Sequence, residues 1–360
     1  MAITLSSIAA LTTLGFDDII DVRSPAEFAE DHVPGAINLP VLDDAERAKV
    51  GTIYTQDSPF LARKLGAALV ARNAAQHLET ALVDKPGGWR PLVYCWRGGQ
   101  RSGSFASILS QIGWRVETVA GGYKSWRRLV VQALFDDPVP CRVIVLDGDT
   151  GTAKTDVLNA LPGHGEQVID LEGLAHHRGS LFGAMPGGQP SQKAFESALA
   201  VALSRLDPTR PVVVEAESAK IGNLALPSRL WRAMVEAPRV VISAPLSARA
   251  TYLTQAYADV VQDRARLEAI IASLRPVHAA TVIAAWQAMV AAGDDVGLAE
   301  GLMAQHYDPR YAKHRARMAP ADVVVAVDQL EVRRLAERVA AALGGLALSH
   351  RPAAEFVGCE

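Results

Sequence analysis

The sequence predicts an α/β fold in two domains, each built on a parallel sheet, with extra helices towards the C-terminal end of the second. Three observations predict it. The chain has 360 residues, more than one ordinary domain of about 100–200. Short apolar, β-branched runs alternate with helical stretches in both halves, the rhythm of parallel strands joined by crossover helices. The segment Phe135-Asp-Asp-Pro-Val-Pro140 has two prolines, two acids and no periodicity, and so divides the halves. The expected domains are 1–136 and 141–348, followed by a frayed tail at 349–360.

Ile19–Val22 reads as the first strand. Ser24 caps a helix that opens at Pro25, where the missing N–H of proline costs nothing. Phe60–Leu82 is a long helical pattern. Pro91–Tyr94 is a buried strand running into Cys95, Ser102–Ile112 is the helix after it, and Val116–Val119 is a last strand before Gly121 and Gly122. In the second half, Arg142–Leu146, Val212–Val214, Val240–Ser243 and Val323–Val327 read as strands. Ser191–Leu206, Ala248–Leu274, His278–Ala291 and Leu330–Leu343 read as helices.

Composition bounds the function. Hydrophobic residues make up 49% and charged residues 21%, which excludes disorder as the dominant state. Net charge is −3, and residues 1–140 (14 Lys/Arg, 15 Asp/Glu) are as balanced as 141–360 (22 and 24). There is no global basic field, so nucleic acid must meet a local patch. Three cysteines form too sparse a set for a secreted disulfide framework. No apolar stretch reaches the roughly 18 residues of a membrane span, and the N-terminus lacks a basic leader. The expectation is a cytoplasmic protein with no membrane partner.

The most informative stretch is Leu92-Val-Tyr-Cys-Trp-Arg-Gly-Gly-Gln-Arg-Ser102. A strand ends at a cysteine, and a two-glycine loop leads into a helix. Glycines let successive amides turn inward as an anion nest, and the helix N-terminus adds partial positive charge. Arg97 or Arg101 supplies a cation. All of these favour the thiolate of Cys95, making it a candidate nucleophile.

A second loop, Asp147-Gly-Asp-Thr-Gly-Thr-Ala-Lys-Thr155, follows a strand and precedes a helix. It nearly fits G-x-x-x-x-G-K-[ST], with Ala153 in place of the second glycine. Amides of Gly148, Asp149, Thr150, Gly151, Thr152 and Ala153 would wrap a phosphate, Lys154 would reach its outer oxygens, and Thr155 would hold Mg²⁺. A positive φ at Ala153 would be strained. Asp170 with Glu172, and Glu215 with Glu217, follow strands. Residues two apart on an extended chain share a face, so each pair is a candidate for Mg²⁺ or substrate. His176, His177 and Arg178 are read as loop residues, with anion contact as their candidate role.

Asp21-Val-Arg-Ser-Pro-Ala-Glu-Phe and His32-Val-Pro-Gly-Ala-Ile-Asn-Leu-Pro40, with the cysteine loop and Ala120-Gly-Gly-Tyr-Lys-Ser-Trp126, resemble rhodanese domains over about residues 10–130. Asp21, Arg23 and Glu27 are expected to brace the fold. Rhodanese loops usually carry arginine five positions after the cysteine. Here Gln100 holds that position and Arg101 the next, a wider cradle suited to a phosphate-bearing chalcogen donor.

Cys95–Ser102, Gly148–Thr155, Asp170–Gly183, Gln189–Glu196, Glu215–Gly222 and Tyr307-Asp-Pro-Arg-Tyr311 together resemble the tRNA 2-selenouridine synthase family. The resemblance implies a rhodanese-like domain followed by a P-loop NTPase-like domain. It implies replacement of the 2-thio sulfur of a wobble 2-thiouridine by selenium from selenophosphate, through an S-geranyl intermediate made from geranyl diphosphate. It implies no tightly bound cofactor beyond Mg²⁺. Cys95, Arg97 and Arg101 would handle selenium and Gly148–Thr155 the diphosphate. Ala153 and Ala219 depart from the family pattern.

For tRNA phosphates the local cations are Arg127 and Arg128, and Arg310, Lys313, Arg315 and Arg317. Three other readings stay open on the sequence. They are a sulfurtransferase fused to an ATP-dependent kinase-like domain, a C-x5-R phosphatase, and a non-enzymatic rhodanese scaffold.

Overall fold

The computed structural model describes residues 2–315 and 320–349. Arg317, Cys359 and residues 350–360 of the expected tail lie outside them. The chain forms two compact units, Met1–Pro138 with Pro190–Arg205, and Val139–Gln189 with Leu206–Glu360.

The first unit holds a five-stranded parallel sheet of β1 (Ala2–Ile3), β2 (Asp18–Asp21), β3 (Ala36–Asn38), β4 (Pro91–Tyr94) and β5 (Glu117–Val119), in the order β1-β5-β4-β2-β3. Every residue of β4 is buried, as a continuous apolar run at the centre of a parallel sheet requires. The core joins Ile20, Val22 and Val93 to Leu69, Val70 and Ala74 of the helix Pro59–Glu79 and to Phe105 and Leu109 of the helix Gln100–Ile112. Ser24 and Glu27 form the capping box of the helix Pro25–Glu30. Asp43 and Glu46 form another on the helix Asp44–Thr52, which the sequence reading missed, as it missed β1 and β3.

The helix Gln192–Ser204 lies late in the sequence yet packs in the first unit. Its Ser197 hydroxyl accepts from the Trp126 indole at 3.2 Å and donates to Asp31 at 2.9 Å. Its Glu196 pairs with Arg127.

The second unit holds another five-stranded parallel sheet. Its strands are β6 (Val143–Gly148), β7 (Gln167–Ile169), β8 (Val212–Glu215), β11 (Arg239–Ser243) and β12 (Val323–Ala326), in the order β12-β11-β6-β8-β7. A two-stranded hairpin, β9 (Lys220–Ile221) and β10 (Leu224–Ala225), stands apart from it. The expected 248–274 helix is three: Leu246–Ala256, Ala258–Gln262 and Arg264–Ser273. The second break has a local cause, since the Asp263 side chain accepts from the Arg266 amide at 3.0 Å and starts a new helix. The last two of these helices and those at Ala280–Ala292 and Asp295–Leu302 build a core around Trp286 and Ile271. Among the described residues no helix is long and apolar enough to cross a membrane.

Both glycine-rich loops leave the carboxyl end of their sheet's central strand, β4 for Cys95 and β6 for Gly148. The carboxyl ends of such strands are where open α/β sheets bind their ligands.

Candidate active site

In the first unit, Cys95 follows β4 directly and its side chain is buried. Gly98 has φ +65°, and a Cβ there would meet the Val119 carbonyl at 2.5 Å, so only glycine lets the loop close. The Cys95 Sγ accepts from the Gly99 amide at 3.3 Å and the Ser102 hydroxyl at 3.2 Å. Burial alone would raise its pKa. Hydrogen bonds from the Ser102 hydroxyl and from the Ser102, Gly99 and Arg97 amides outweigh burial, and the pKa is lowered. The thiolate is thus favoured by amides and a hydroxyl rather than by a guanidinium.

The expected arginines divide. Arg97 contributes its amide, and its side chain is exposed beside the loop. Arg101 instead donates to Glu27 at 2.7 Å. That contact needs the Glu27 carboxylate, and although burial pushes the Glu27 pKa up, Arg101 brings it down overall. Ser102 is the residue that reasoning from the sequence missed. Its place one turn into the helix after the loop was the available signal. Asp21 and Arg23 form a fully buried ion pair at 2.7 Å, and Arg23 also donates to the Asp31 carbonyl, which is the expected bracing role.

In the second unit, the loop after β6 has positive φ at Gly148, Gly151 and, without a glycine, at Ala153 (φ 60°). Ala153 is the residue that turns the chain into the helix Lys154–Ala160. The Lys154 ammonium folds back onto the Gly148 and Asp149 carbonyls at 2.8 and 3.2 Å. Thr155 donates to Glu172 at 2.8 Å. Arg178 lines the same cavity and stacks over Tyr257 at 4.8 Å.

Of the four acids, three converge. The Glu172 amide donates to Glu215 at 2.7 Å, and Glu217 lies against the Glu172 carboxyl. Burial, with repulsion among the carboxylates, raises Glu215 and Glu217 well above the usual range. One oxygen of Glu215, Oε2, is buried without a partner. Asp170 is near enough to add to the rise at Glu215 but takes another role. The chain leaves extended geometry after Asp170, which caps the helix Leu171–Ala175 by accepting from Gly173 at 2.6 Å. The expected shared face of Asp170 and Glu172 is therefore absent. Among the described residues no group of three or more His, Cys, Asp or Glu is set to hold a metal ion by itself.

The loop cavity has about 790 Å³ of empty space, counted to its open mouth, and touches two others. One, about 560 Å³ on the same count, is walled mainly by apolar side chains, among them Phe182, Val260, Leu267, Leu298, Leu302 and Met303. Thr150, Ser180, Leu253 and Tyr257 line both it and the loop cavity. The other, about 890 Å³, contains Trp231, Met234 and Arg310, and shares Gly179, Glu217 and Tyr311 with the loop cavity. The loop cavity stands between the two, which share no wall residue.

The candidate tRNA cations also divide. Arg127 is occupied by Glu196, while Arg128 is exposed. Arg310 is exposed and donates to the His306 carbonyl at 2.7 Å. Lys313 is exposed on the helix Asp308–Arg315. The Arg315 side chain and Arg317 are outside the described atoms.

A poised cysteine at the end of one parallel sheet, in the same chain as a glycine-rich strand–loop–helix turn with an inward lysine, is the frame of a group-transfer enzyme. Residues 7–129 match the rhodanese-like domain, and residues 141–275 match the tRNA 2-selenouridine synthase AAA domain. A tRNA 2-selenouridine synthase of Aeromonas salmonicida is 42% identical over 252 residues, covering 69% of this chain and 67% of that protein. One of Pseudomonas syringae pv. tomato is 34% identical over 346 residues, covering 87% and 92%. The chain belongs to the tRNA 2-selenouridine synthase family, and is a tRNA-modifying transferase.

Proposed function

We propose that the chain converts 2-thiouridine at the wobble position of tRNA to 2-selenouridine in two stages, geranylation and then exchange for selenium. The observation that carries this reading is the apolar pocket beside the phosphate-type loop, which shares Thr150, Ser180, Leu253 and Tyr257 with the loop cavity. A prenyl diphosphate has that construction, a hydrocarbon chain bonded to a polyanion.

The diphosphate lies in the loop of Gly148–Thr155, facing the loop amides, Lys154 and Arg178. Thr155 and Glu172, beside the unpartnered oxygen of Glu215, would hold a Mg²⁺ ion that neutralises diphosphate charge. The geranyl chain enters the pocket of Phe182 and Leu298. The thiouridine sulfur forms a bond to C1 of the chain as the C1–O bond breaks. Diphosphate leaves with that electron pair, and N3 of the base releases its proton to water. Amides and cations fixed on the leaving group stabilise the charge it gains.

Alkylation turns a thiocarbonyl, whose sulfur leaves poorly, into a thioether that leaves as a thiolate. Selenium in selenophosphate is already at the selenide level, so the exchange needs no oxidant or reductant. Selenium bonds to C2 as the geranyl thiolate departs with its pair, the Cys95 thiolate takes the phosphoryl group as the P–Se bond breaks, and water releases that group as phosphate and supplies the proton that returns to N3. Selenium handling falls to the Cys95 loop, where inward amides and exposed Arg97 meet a tetrahedral anion.

The test is to incubate thiolated tRNA with geranyl diphosphate and selenophosphate and to resolve its nucleosides by mass spectrometry. The Cys95→Ala chain is expected to geranylate but not selenate, and the Lys154→Ala chain to fail at geranylation. Retained selenation in Cys95→Ala removes the thiolate from the reaction.

A further inference from the structure

Three ligand parts must meet for sulfur alkylation: a hydrocarbon chain, a diphosphate and a base. The loop cavity shares wall residues with the apolar pocket on one hand and with the pocket of Trp231 and Tyr311 on the other. We infer that the second pocket receives the thiouracil ring of the tRNA and brings its sulfur to the donor. The inference rests on the reading of the loop cavity as the diphosphate site.

The walls suit a flat, uncharged ring with polar edges. Trp231 is half-buried on the helix Ser228–Glu236, whose Leu230 and Met234 turn into the core, and its indole is left facing the cavity. Tyr311 supplies a second ring. Bases splayed out of an RNA loop stack on such rings whatever their sequence. Asp147 and Arg239 face the cavity as a buried ion pair. Their charges cancel, which favours a neutral base over a phosphate group.

Cations stand around this pocket. Arg232 is exposed next to Trp231, and Arg310 and Lys313 are exposed on the helix that carries Tyr311. They are suited to the phosphates flanking an extruded nucleotide. Tyr311, Glu217 and Gly179 line both this pocket and the loop cavity. A ring inserted beside them therefore lies one shared wall from the donor.

The experiment uses the full chain, geranyl diphosphate and an anticodon stem-loop carrying 2-thiouridine. Trp231→Ala is expected to raise the KM for the stem-loop roughly tenfold, the scale of one lost base–aromatic stack, and to leave the KM for geranyl diphosphate unchanged. Trp231→Phe is expected to restore most of the loss. An unchanged stem-loop KM in Trp231→Ala, or an effect confined to geranyl diphosphate, overturns the inference.

A second measurement avoids any dependence on the variant's folding. A stem-loop with 5-iodouridine at the target position is cross-linked to the unmutated chain by light, and the adduct is mapped by mass spectrometry. Attachment to Trp231 or Tyr311 supports the pocket, and attachment elsewhere overturns it. ATP that competes with the stem-loop would assign the pocket to a nucleotide's own base and also overturn it. If the unmutated chain fails to alkylate the sulfur at all, the diphosphate reading fails, while the cross-link still decides where the base lies.

Discussion

Asp308 grips the guanidinium of Arg249 with both carboxylate oxygens, at 2.9 and 2.8 Å, and the same guanidinium donates to the Thr150 carbonyl at 3.1 Å. The motif Tyr307-Asp-Pro-Arg-Tyr311 therefore does three jobs from one short segment. Tyr307 walls the apolar pocket, Asp308 steadies the phosphate-type loop through Arg249, and Arg310 and Tyr311 wall the base pocket. Asp308→Asn leaves a buried guanidinium without its counter-charge. The expected cost is about 2–3 kcal/mol, towards the low end for a broken buried pair because Asp308 is partly exposed. Urea unfolding measures it, and geranyl diphosphate affinity should fall in parallel as Thr150 loses its anchor.

Cys95 and Cys141 should separate by pH. Burial raises both thiols, but the Ser102 hydroxyl and the loop amides bring Cys95 below its ordinary value, whereas Asp207 adds to the rise at Cys141. Iodoacetamide labelling of Cys95, followed by peptide mapping, is expected to reach its midpoint at lower pH than an unperturbed thiol at about 8.5. Ser102→Ala should move the midpoint up, and Ser102→Thr, which keeps the hydroxyl, should restore it. A Cys95 profile matching that of a free thiol would contradict the hydrogen-bonding account.

Glu215 gives a stability prediction with a definite sign. Burial raises its folded-state pKa well above the ordinary carboxylate value. A raised acid binds its proton more tightly when folded, so its contribution is fully present below the unfolded value and is lost as pH rises towards the folded one. Glu215→Gln stays neutral throughout. The stability of the variant relative to the unmutated chain is expected to climb as pH rises above the ordinary carboxylate value of about 4.3, as read by urea unfolding at each pH. A pH-independent difference would mean that Glu215 is ionised in the fold.

The two loops were legible because their chemistry is local. Glycines at 98, 148 and 151 meet turns that need positive φ, and the residues that use them are neighbours in sequence. The central strands were legible because a buried parallel strand is apolar at every position. The apolar pocket was not, since Thr150, Phe182 and Leu298 come from distant segments and each reads as ordinary core. Nor was the placing of Pro190–Arg205, because an amphipathic helix does not say which core it will cover. Arg127 looked like a phosphate contact for the same reason, its partner Glu196 being 69 residues away.

Ala153 was expected to be strained, and its φ of 60° puts it in the left-handed region, buried at the start of the helix Lys154–Ala160. A non-glycine residue there costs roughly 1–3 kcal/mol. Glycine would remove that cost while adding about 0.4–1 kcal/mol of unfolded-state entropy. Ala153→Gly is therefore expected to stabilise the second unit by up to about 2.5 kcal/mol, seen as a higher urea midpoint. The strain also bears on binding. The methyl group of Ala153 fixes the loop's last turn and so limits how far its amides can tilt towards a ligand. If glycine at 153 lets the amides swing, the variant should bind diphosphate more tightly as well. If stability rises and affinity does not, the alanine already holds the loop in its binding shape, and the strain is stored there without being drawn on.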